Sequence, residues 1–344
     1  MKYRIGLDIS GGDNAPVEIL RGAHLAQKET GQHIVLIGRE PEIKQEAQRL
    51  RIPLAGGFTV IHAPEKIEMA ESPAVSVRRK KKSSIAIGVK LLKERKIDAF
   101  VSCGNTGAVV CASTLYLGMI KGVERPGIAL MVPTERGVSL VIDVGANIGP
   151  KPMHLFQYGI MGGVYYQLVF DTPDPSVGLL NIGEEETKGS EFVKYVHKLF
   201  SSSPLNFIGN LEAKQLFSGN CECIVADGYI GNIALKVAES CAEVFGHFLK
   251  DSIRRDPFAQ IGMLLARHSL KRFKRMIDYA EYGGAPLLGV DGVVIIGHGR
   301  SSARAVKNAV QAASRELNRG INSEIKRRVN EICQNCRAGE TSSS

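Results

Sequence analysis

Short apolar runs alternate along this chain with longer stretches of helical periodicity, and that alternation constrains the fold more than any other feature. Residues 5–8, 34–37, 58–62, 99–102, 129–132, 140–143, 177–181, 206–208 and 223–226 read as strands. Helical patterns lie between them at 17–29, 42–50, 83–94, 153–168, 190–199 and 233–249. Such alternation puts helices on the faces of a parallel sheet. The predicted fold class is therefore α/β, a Rossmann-like, mostly parallel sheet flanked by helices, whose ligands sit beyond the carboxyl ends of the strands. A chain of 344 residues is long for one core, so one large body or two fused lobes is expected. We expect a single α/β domain over 1–336 and a small, polar tail at 337–344 that frays. No run approaches the ~18–20 apolar residues of a membrane span. The start, MKYRIGLDIS, does not read as a secretory leader, so a cytoplasmic location is expected.

The pattern changes at about 250–278, which reads as helical and carries eight Lys or Arg. Pro257 predicts a break between two helices there. We expect this segment, about 248–280, to protrude. The sheet pattern resumes at 287–290 and 293–296, followed by a helix from about 301.

Glycine with Asn or Asp recurs directly after the predicted strands. Asp8 leads into Ser10-Gly11-Gly12-Asp13-Asn14, and 99–102 into Cys103-Gly104-Asn105-Thr106-Gly107. Asp143 leads into Val144-Gly145-Ala146-Asn147, and 177–181 into Ile182-Gly183 and on to Lys188-Gly189. Later come Asp227-Gly228-Tyr229-Ile230-Gly231-Asn232 and Tyr282-Gly283-Gly284. Glycine lets backbone N–H groups approach a ligand closely. A helix starting there offers unpaired N–H groups and a positive dipole end, which suit an anion. Asn amides donate hydrogen bonds without adding charge. Several such loops at one sheet edge would cradle an oxyanion such as phosphate. Each loop alone is equally well explained by turn and cap chemistry. The carboxylates repel anions, and so would orient the Asn and Lys donors or hold a metal.

Several familiar sites are absent. No GxGxxG follows the first strand, no GxxxxGK precedes Ser or Thr, and no GxSxG occurs. Cys221-x-Cys223 and Cys333-x-x-Cys336 each supply at most half of a zinc site, so no metal and no cofactor is expected. Cys103 reads as a small buried residue in preference to a nucleophile at a helix start. His298, in Gly297-His298-Gly299-Arg300, reads as an acid or base or as a structural residue. Lys188 either neutralises substrate charge or pairs with Glu184 at i,i+4.

The formal charge is +9, which draws polyanions without choosing among them. With no Trp and 6% aromatics, a base-stacking surface and nucleic-acid binding are not expected. Arg78-Arg79-Lys80-Lys81-Lys82 is a solvated face or a docking site for an acidic partner. Phe258, Ile261, Leu265, Leu270, Phe273 and Ile277 recur at helical spacing among Arg267, Lys271, Arg272, Lys274 and Arg275. That stripe suits an anionic bilayer or a dimer partner.

Taken in order, GGDNAP (11–16), GNTGA (104–108), DVGAN (143–147), NIGEEETKG (181–189), ADGYIGNIALK (226–236) and YGGAPLLGVDGVVIIGHG (282–299) resemble the acyl carrier protein:phosphate acyltransferase family of bacterial phospholipid synthesis. The resemblance spans about residues 3–320. It implies a fold like phosphotransacetylases and isopropylmalate dehydrogenases, and transfer of a fatty acyl group from a carrier-protein thioester to inorganic phosphate. Implied partners are acyl carrier protein, a second copy of the chain, an anionic membrane surface and the membrane glycerol-3-phosphate acyltransferase. Peripheral attachment through a protruding helical pair would use Phe258, Leu265, Lys271 and Arg272. Ser10, Cys103 and Gly297 depart from the family's usual residues.

On this reading, phosphate attacks directly. Asn105, Asn147 and Asn232, with backbone N–H groups at 11–14 and 104–107, are expected to bind phosphate and the tetrahedral oxyanion. Gly11, Gly12, Asn14, Gly104, Thr106, Gly107, Gly145, Gly228, Gly283 and Gly284 shape that cradle. Asp8, Asp143 and Asp227 orient donors, Lys188 balances charge and His298 protonates the leaving thiolate. Two alternatives are a metal- and nicotinamide-dependent decarboxylating dehydrogenase and a non-enzymatic membrane adaptor.

Overall fold

A computed structural model describes residues 2–270 and 283–341, with side chains described to 333. The chain begins with β1 (Arg4–Asp8), α1 (Val17–Thr30), β2 (His33–Gly38), α2 (Glu40–Arg49) and β3 (Phe58–His62). α3 (Pro73–Arg79), α4 (Ser84–Lys93), β4 (Ala99–Ser102) and α5 (Thr106–Ala112) follow. Next come β5 (Gly127–Thr134), β6 (Gly137–Ile142), α6 (Pro152–Phe170), β7 (Val177–Leu180), α7 (Glu191–Ser201), β8 (Phe207–Leu211) and β9 (Cys223–Val225). The chain closes with α8 (Gly228–Arg254), α9 (Pro257–Leu265), β10 (Ala285–Leu288), β11 (Val293–Ile296), α10 (Ala303–Arg319) and α11 (Ile321–Thr341).

The strands form one sheet in the order β3-β2-β1-β4-β11-β10-β5-β6-β9-β7-β8. This is the α/β fold expected, mostly parallel and flanked by helices. The parallel ladder is interrupted at its centre. β10 runs antiparallel to both β11 and β5, and β5 antiparallel to β6. The cause is local: Glu135 and Arg136 join β5 to β6 too tightly for a crossover helix, which a parallel pair requires. β1, β4 and β11 are parallel to one another. β6, β9 and β7 are parallel to one another beyond the antiparallel centre.

Central strands such as β4, β9 and β11 are buried on both faces, which explains their unbroken apolar sequences. α6 has apolar residues all round, and 13 of its positions are buried, so it forms the centre of one layer and not a surface helix. Phe156 on α6 meets Phe200 on α7 at 5.4 Å between ring centroids. α8 is the reverse case. Among its 27 residues only Gly228 and Gly231 are buried, and Ala234 and Leu235 are half-buried on the core, so its first turns rest on the body and the rest of its ~40 Å length is largely exposed. The exposed stretch therefore begins well before residue 248. The break at Pro257 is present, and the Asp256 carboxylate caps α9 by accepting the Phe258 N–H at 2.8 Å.

Candidate functional site

Two buried carboxylates organise the loops that the sequence singled out. Asp8 ends β1 and accepts the Ser102 hydroxyl at 2.7 Å and the Ser10 N–H at 3.1 Å. The Ser102 hydroxyl oxygen in turn accepts the Gly104 N–H at 3.1 Å. Gly11 has to be glycine: a Cβ there would stand 2.5 Å from an Asp8 carboxylate oxygen and 2.6 Å from the Gly104 nitrogen. The loop after β11 joins them, since Gly297 N–H donates to Ser102 O at 2.8 Å and Asp13 N–H to Gly299 O at 2.8 Å. Gly12, Gly104 and Gly107 sit in this interlock, with Asn14 and Thr106 exposed at its rim. Burial raises the Asp8 carboxyl above the usual range, opposed by hydrogen bonds from Ser84, Ser102, Ser10 and Gly11.

Asn105 holds the interlock from the side. Its Oδ1 accepts the Ala108 N–H at 3.0 Å, capping α5. Its Nδ2 donates to the carbonyls of Glu68, Met69 and Glu71 at 3.2, 3.0 and 3.1 Å. Its donors are spent on the loop 68–71, so Asn105 is a clamp here and not the open donor the sequence suggested.

Asp143, following β6, organises the second set. It accepts the N–H groups of Ile128, Gly145 and Ala146 at 3.0, 3.0 and 2.9 Å, and that of Asn147 at 2.9 Å. Burial raises its carboxyl despite those donors. The Asn147 amide donates to Pro126 O at 2.6 Å and lies 2.8 Å from the Tyr158 hydroxyl, so it too is occupied within the protein. α8 starts on this loop. Asp227 caps it through the Tyr229 N–H at 2.8 Å, and Gly228 and Gly231 let its first turn press against Asn147 and Asp143. Asn232 is exposed and reaches the open side of Gly145.

In topology the two sets occupy opposite edges, because β6 and β9 run against β1 and β4. One shared edge was the expectation, and the antiparallel centre overturns it. Six strand steps separate β1 from β9. At the usual twist of about 20–25° per step the accumulated rotation is about 120–150°, which turns β9 back toward the heading of β1. α8 marks the result. Its first turn lies on Asp143, while Lys236 and Glu239 act electrostatically on His298, and Glu243 lies 3.4 Å from Arg300. From Gly231 to Glu239 is about 12 Å of helix. Burial lowers the His298 imidazole below its usual range, and its Nδ1 accepts the Arg300 N–H at 3.1 Å. Beneath α8 runs an apolar seam of about 20 Å³, lined by Leu130, Val132, Val141, Val144, Leu180 and Ala234.

Other expected residues fall elsewhere. Gly283 and Gly284 pack against Asn308, Ala312 and Ile296, seating β10 on α10 and β11. Lys188 is exposed in an irregular loop, so no i,i+4 geometry exists there, and Glu184 pairs with Lys214 at 3.4 Å instead. Phe258 and Leu265 are 84% and 81% exposed on α9. Lys271 and Arg272 lie outside the described residues. Burial pushes the Cys103 thiol up to about 12, which suits the buried reading and not a thiolate nucleophile. Its Sγ fills the space a side chain at Gly297 would need, so the two positions are coupled in volume. Ser102 and Tyr158 were missed. Each is a polar residue closing or interrupting an apolar segment, and a buried hydroxyl in such a place needs a partner.

The sequence profile of the family described as fatty acid synthesis protein matches residues 3–324. The chain is 44% identical over 330 residues to the phosphate acyltransferase of Pelotomaculum thermopropionicum, covering 96% of each. It is 45% identical over 331 residues to that of Dictyoglomus turgidum, covering 96% of this chain and 98% of the other. In fold it is similar to EutD phosphotransacetylase from Staphylococcus aureus, with a TM-score of 0.62, 16% identity and 92% and 94% coverage. It is also similar to 4-hydroxythreonine-4-phosphate dehydrogenase from Klebsiella pneumoniae, with a TM-score of 0.52, 11% identity and 92% and 98% coverage. At these identities the structural likeness speaks for the fold alone.

Proposed function

The chain belongs to the phosphate acyltransferase family, and from that premise we propose that it moves a fatty acyl group from the thioester of acyl carrier protein to inorganic phosphate, making acyl phosphate for phospholipid synthesis. The observation that carries this reading is the approach of both loop sets to α8, which puts glycine-rich backbone on two sides of one helix.

Hydrogen phosphate is already an oxygen nucleophile near neutral pH, so the protein has to position and not to activate it. A phosphate oxygen attacks the carbonyl carbon, the tetrahedral oxyanion collapses, and the C–S bond breaks. The phosphate proton ends on the carrier's thiol, which balances the step. Asn232, exposed beside Gly145, donates to the oxyanion or to phosphate. The loop N–H groups not already given to protein acceptors, those of Gly12, Thr106 and Gly107, supply the remaining donors. Asp8, Asp143, Asp227, Asn105 and Asn147 act as positioning residues that fix the loops. His298, neutral and accepting at Nδ1, carries its proton on Nε2 and donates a hydrogen bond from it to the leaving sulfur, while phosphate supplies the proton that the thiol keeps. The apolar seam beside Val144 gives the fatty tail a wall, and at about 20 Å³ it must widen by movement of α8 to admit one.

The same reading includes a homodimer in the cytoplasm that attaches peripherally to the membrane. Exposed Phe245 and Phe248 on α8, and Phe258 and Leu265 on α9, support it, because a cluster of large apolar side chains left in water favours an interface. No described helix is long and apolar enough to cross a bilayer. Product would pass from there to the membrane glycerol-3-phosphate acyltransferase.

The test mixes purified protein with palmitoyl–acyl carrier protein and follows free thiol with and without phosphate. Thiol release is expected only with phosphate, with acyl phosphate trapped by hydroxylamine as the hydroxamate. Release indifferent to phosphate removes the reading.

A further inference from the structure

We propose that the basic turn at Arg78, Arg79, Lys81 and Lys82 is the docking surface for the acidic protein that delivers the acyl thioester. The inference rests on the acyl-transfer reading and adds where the donor protein sits.

The turn is built as a fixed platform with its charges left over. α3 ends at Arg79, and the backbone that follows is pinned on three sides. Lys80 reaches back to the Glu71 carboxylate and donates to Lys66 O at 2.8 Å. Lys82 N–H donates to the Glu65 carboxylate at 2.8 Å. Lys90 donates to Lys81 O at 3.4 Å while lying 4.7 Å above the Tyr116 ring. Lys80 is thus a structural cation, and its ion pair holds the Glu71 carboxyl down to about 2. The other four side chains are exposed, and among the described residues none of them has an ion pair to a carboxylate. An exposed cluster of unpaired like charge repels itself, and an acidic partner relieves that repulsion.

Its position gives it a purpose. The loop it braces, 68–71, is the one that the Asn105 amide grips through three carbonyls. Pro73 of α3 packs so closely on α5 that a Cβ at Gly107 would lie 2.6 Å from its Cγ. The patch is therefore one element away from the Gly104–Asn105 turn, where a carrier's flexible arm has to deliver its thioester. An anionic bilayer fits the patch less well than an acidic protein does. Residues 66–90 contain no aromatic side chain to insert, whereas α9 carries Phe258 and Leu265 for that purpose.

The test compares wild type with Arg78→Glu/Arg79→Glu and Lys81→Glu/Lys82→Glu, and with the milder Arg78→Gln/Arg79→Gln. Donors are palmitoyl–acyl carrier protein and palmitoyl-pantetheine, which lacks the protein. The charge reversals are expected to raise KM for the carrier-bound donor about tenfold or more at low salt, the Gln pair less, with kcat and the phosphate KM held within about twofold. Turnover of palmitoyl-pantetheine should not change, which separates lost docking from lost folding. Direct titration with carrier protein should weaken in parallel. Unchanged KM and unchanged titration overturn the proposal. So does equal loss with both donors, or loss of binding to phosphatidylglycerol vesicles without change in the carrier KM. Should wild type release no thiol from either donor, the acyl-transfer reading fails, and the carrier titration still decides the patch.

Discussion

Asn147 holds Asp143 twice, through its backbone N–H at 2.9 Å and its Nδ2 at 3.1 Å, both on Oδ2. The same Nδ2 serves Pro126 O and the Tyr158 hydroxyl, so one amide ties the β6 loop to α6. Asn147→Ala strands those buried groups and is expected to cost about 1–3 kcal/mol in urea unfolding. Asn147→Asp sets a second carboxylate against one whose pKa burial already raises. It is expected to be worse than Ala at pH 8, and the gap should close toward pH 5 as one of the pair protonates. Equal stability of Ala and Asp at pH 8 would contradict this account.

Asn232 is exposed, and its side chain makes no protein hydrogen bond among those described, so its removal should separate chemistry from folding. Asn232→Ala is expected to lower kcat by about 10²–10³, the usual effect of losing one oxyanion donor, with the melting temperature nearly unmoved. Asn105→Ala should behave the opposite way. It loses an N-cap worth about 1 kcal/mol and frees loop 68–71. Melting temperature and activity should therefore fall together. A stable, inactive Asn105→Ala enzyme would return Asn105 to the list of direct donors.

Cys103 and Gly297 share one volume, so their substitutions should not add. Gly297→Ala alone forces its Cβ into the Cys103 sulfur, and overpacking of this kind costs about 1–3 kcal/mol. Cys103→Ala alone leaves a small void. The double variant restores the packing and is expected to be more stable than Gly297→Ala. Additive losses in a double-mutant cycle would show the two sites to be independent.

Much of the scaffold was legible because periodicity reports burial directly. β4 and β11 match the predicted bounds, since residues buried on both faces leave unbroken apolar runs. The antiparallel centre was not legible. Strand direction depends on the length of the connection, and the tight Glu135-Arg136 turn carries no Asn-Gly or Asp-Gly signal. α3 and α5 are seven residues each, too short for a helical period to register. At the site, composition picked out the loops but not the use of each side chain. Asn105, Asn147 and Asn232 are alike in sequence, each directly following a glycine or alanine. Only the neighbours at Glu68–Glu71, Pro126 and Tyr158 separate two clamps from one open donor. Those neighbours lie more than 20 residues away for Asn105 and Pro126, beyond the reach of local patterning.

Glu316 supplies a pH prediction away from the site. It lies wholly buried on α10 against Tyr165, one of its carboxylate oxygens has no partner, and burial raises its pKa to about 8. In the unfolded chain its value returns to the ordinary one of 4.5. Between those limits the folded protein keeps a proton that the unfolded chain has released. Stability from this group is therefore full below about 4.5 and is lost as pH rises through about 8. The size is on the order of a few kcal/mol at most, since relaxation and water entry soften the cost of a buried charge. Glu316→Gln stays neutral, keeps an acceptor for Tyr165 and removes the titration. Unfolding of wild type and Glu316→Gln in urea at pH 5 to 9 isolates the effect, because every other group cancels in the difference. Wild type is expected to lose ground to the variant steadily above pH 5 and to level off above about 8. Parallel curves across that range would mean that Glu316 titrates normally, and hence that water reaches it.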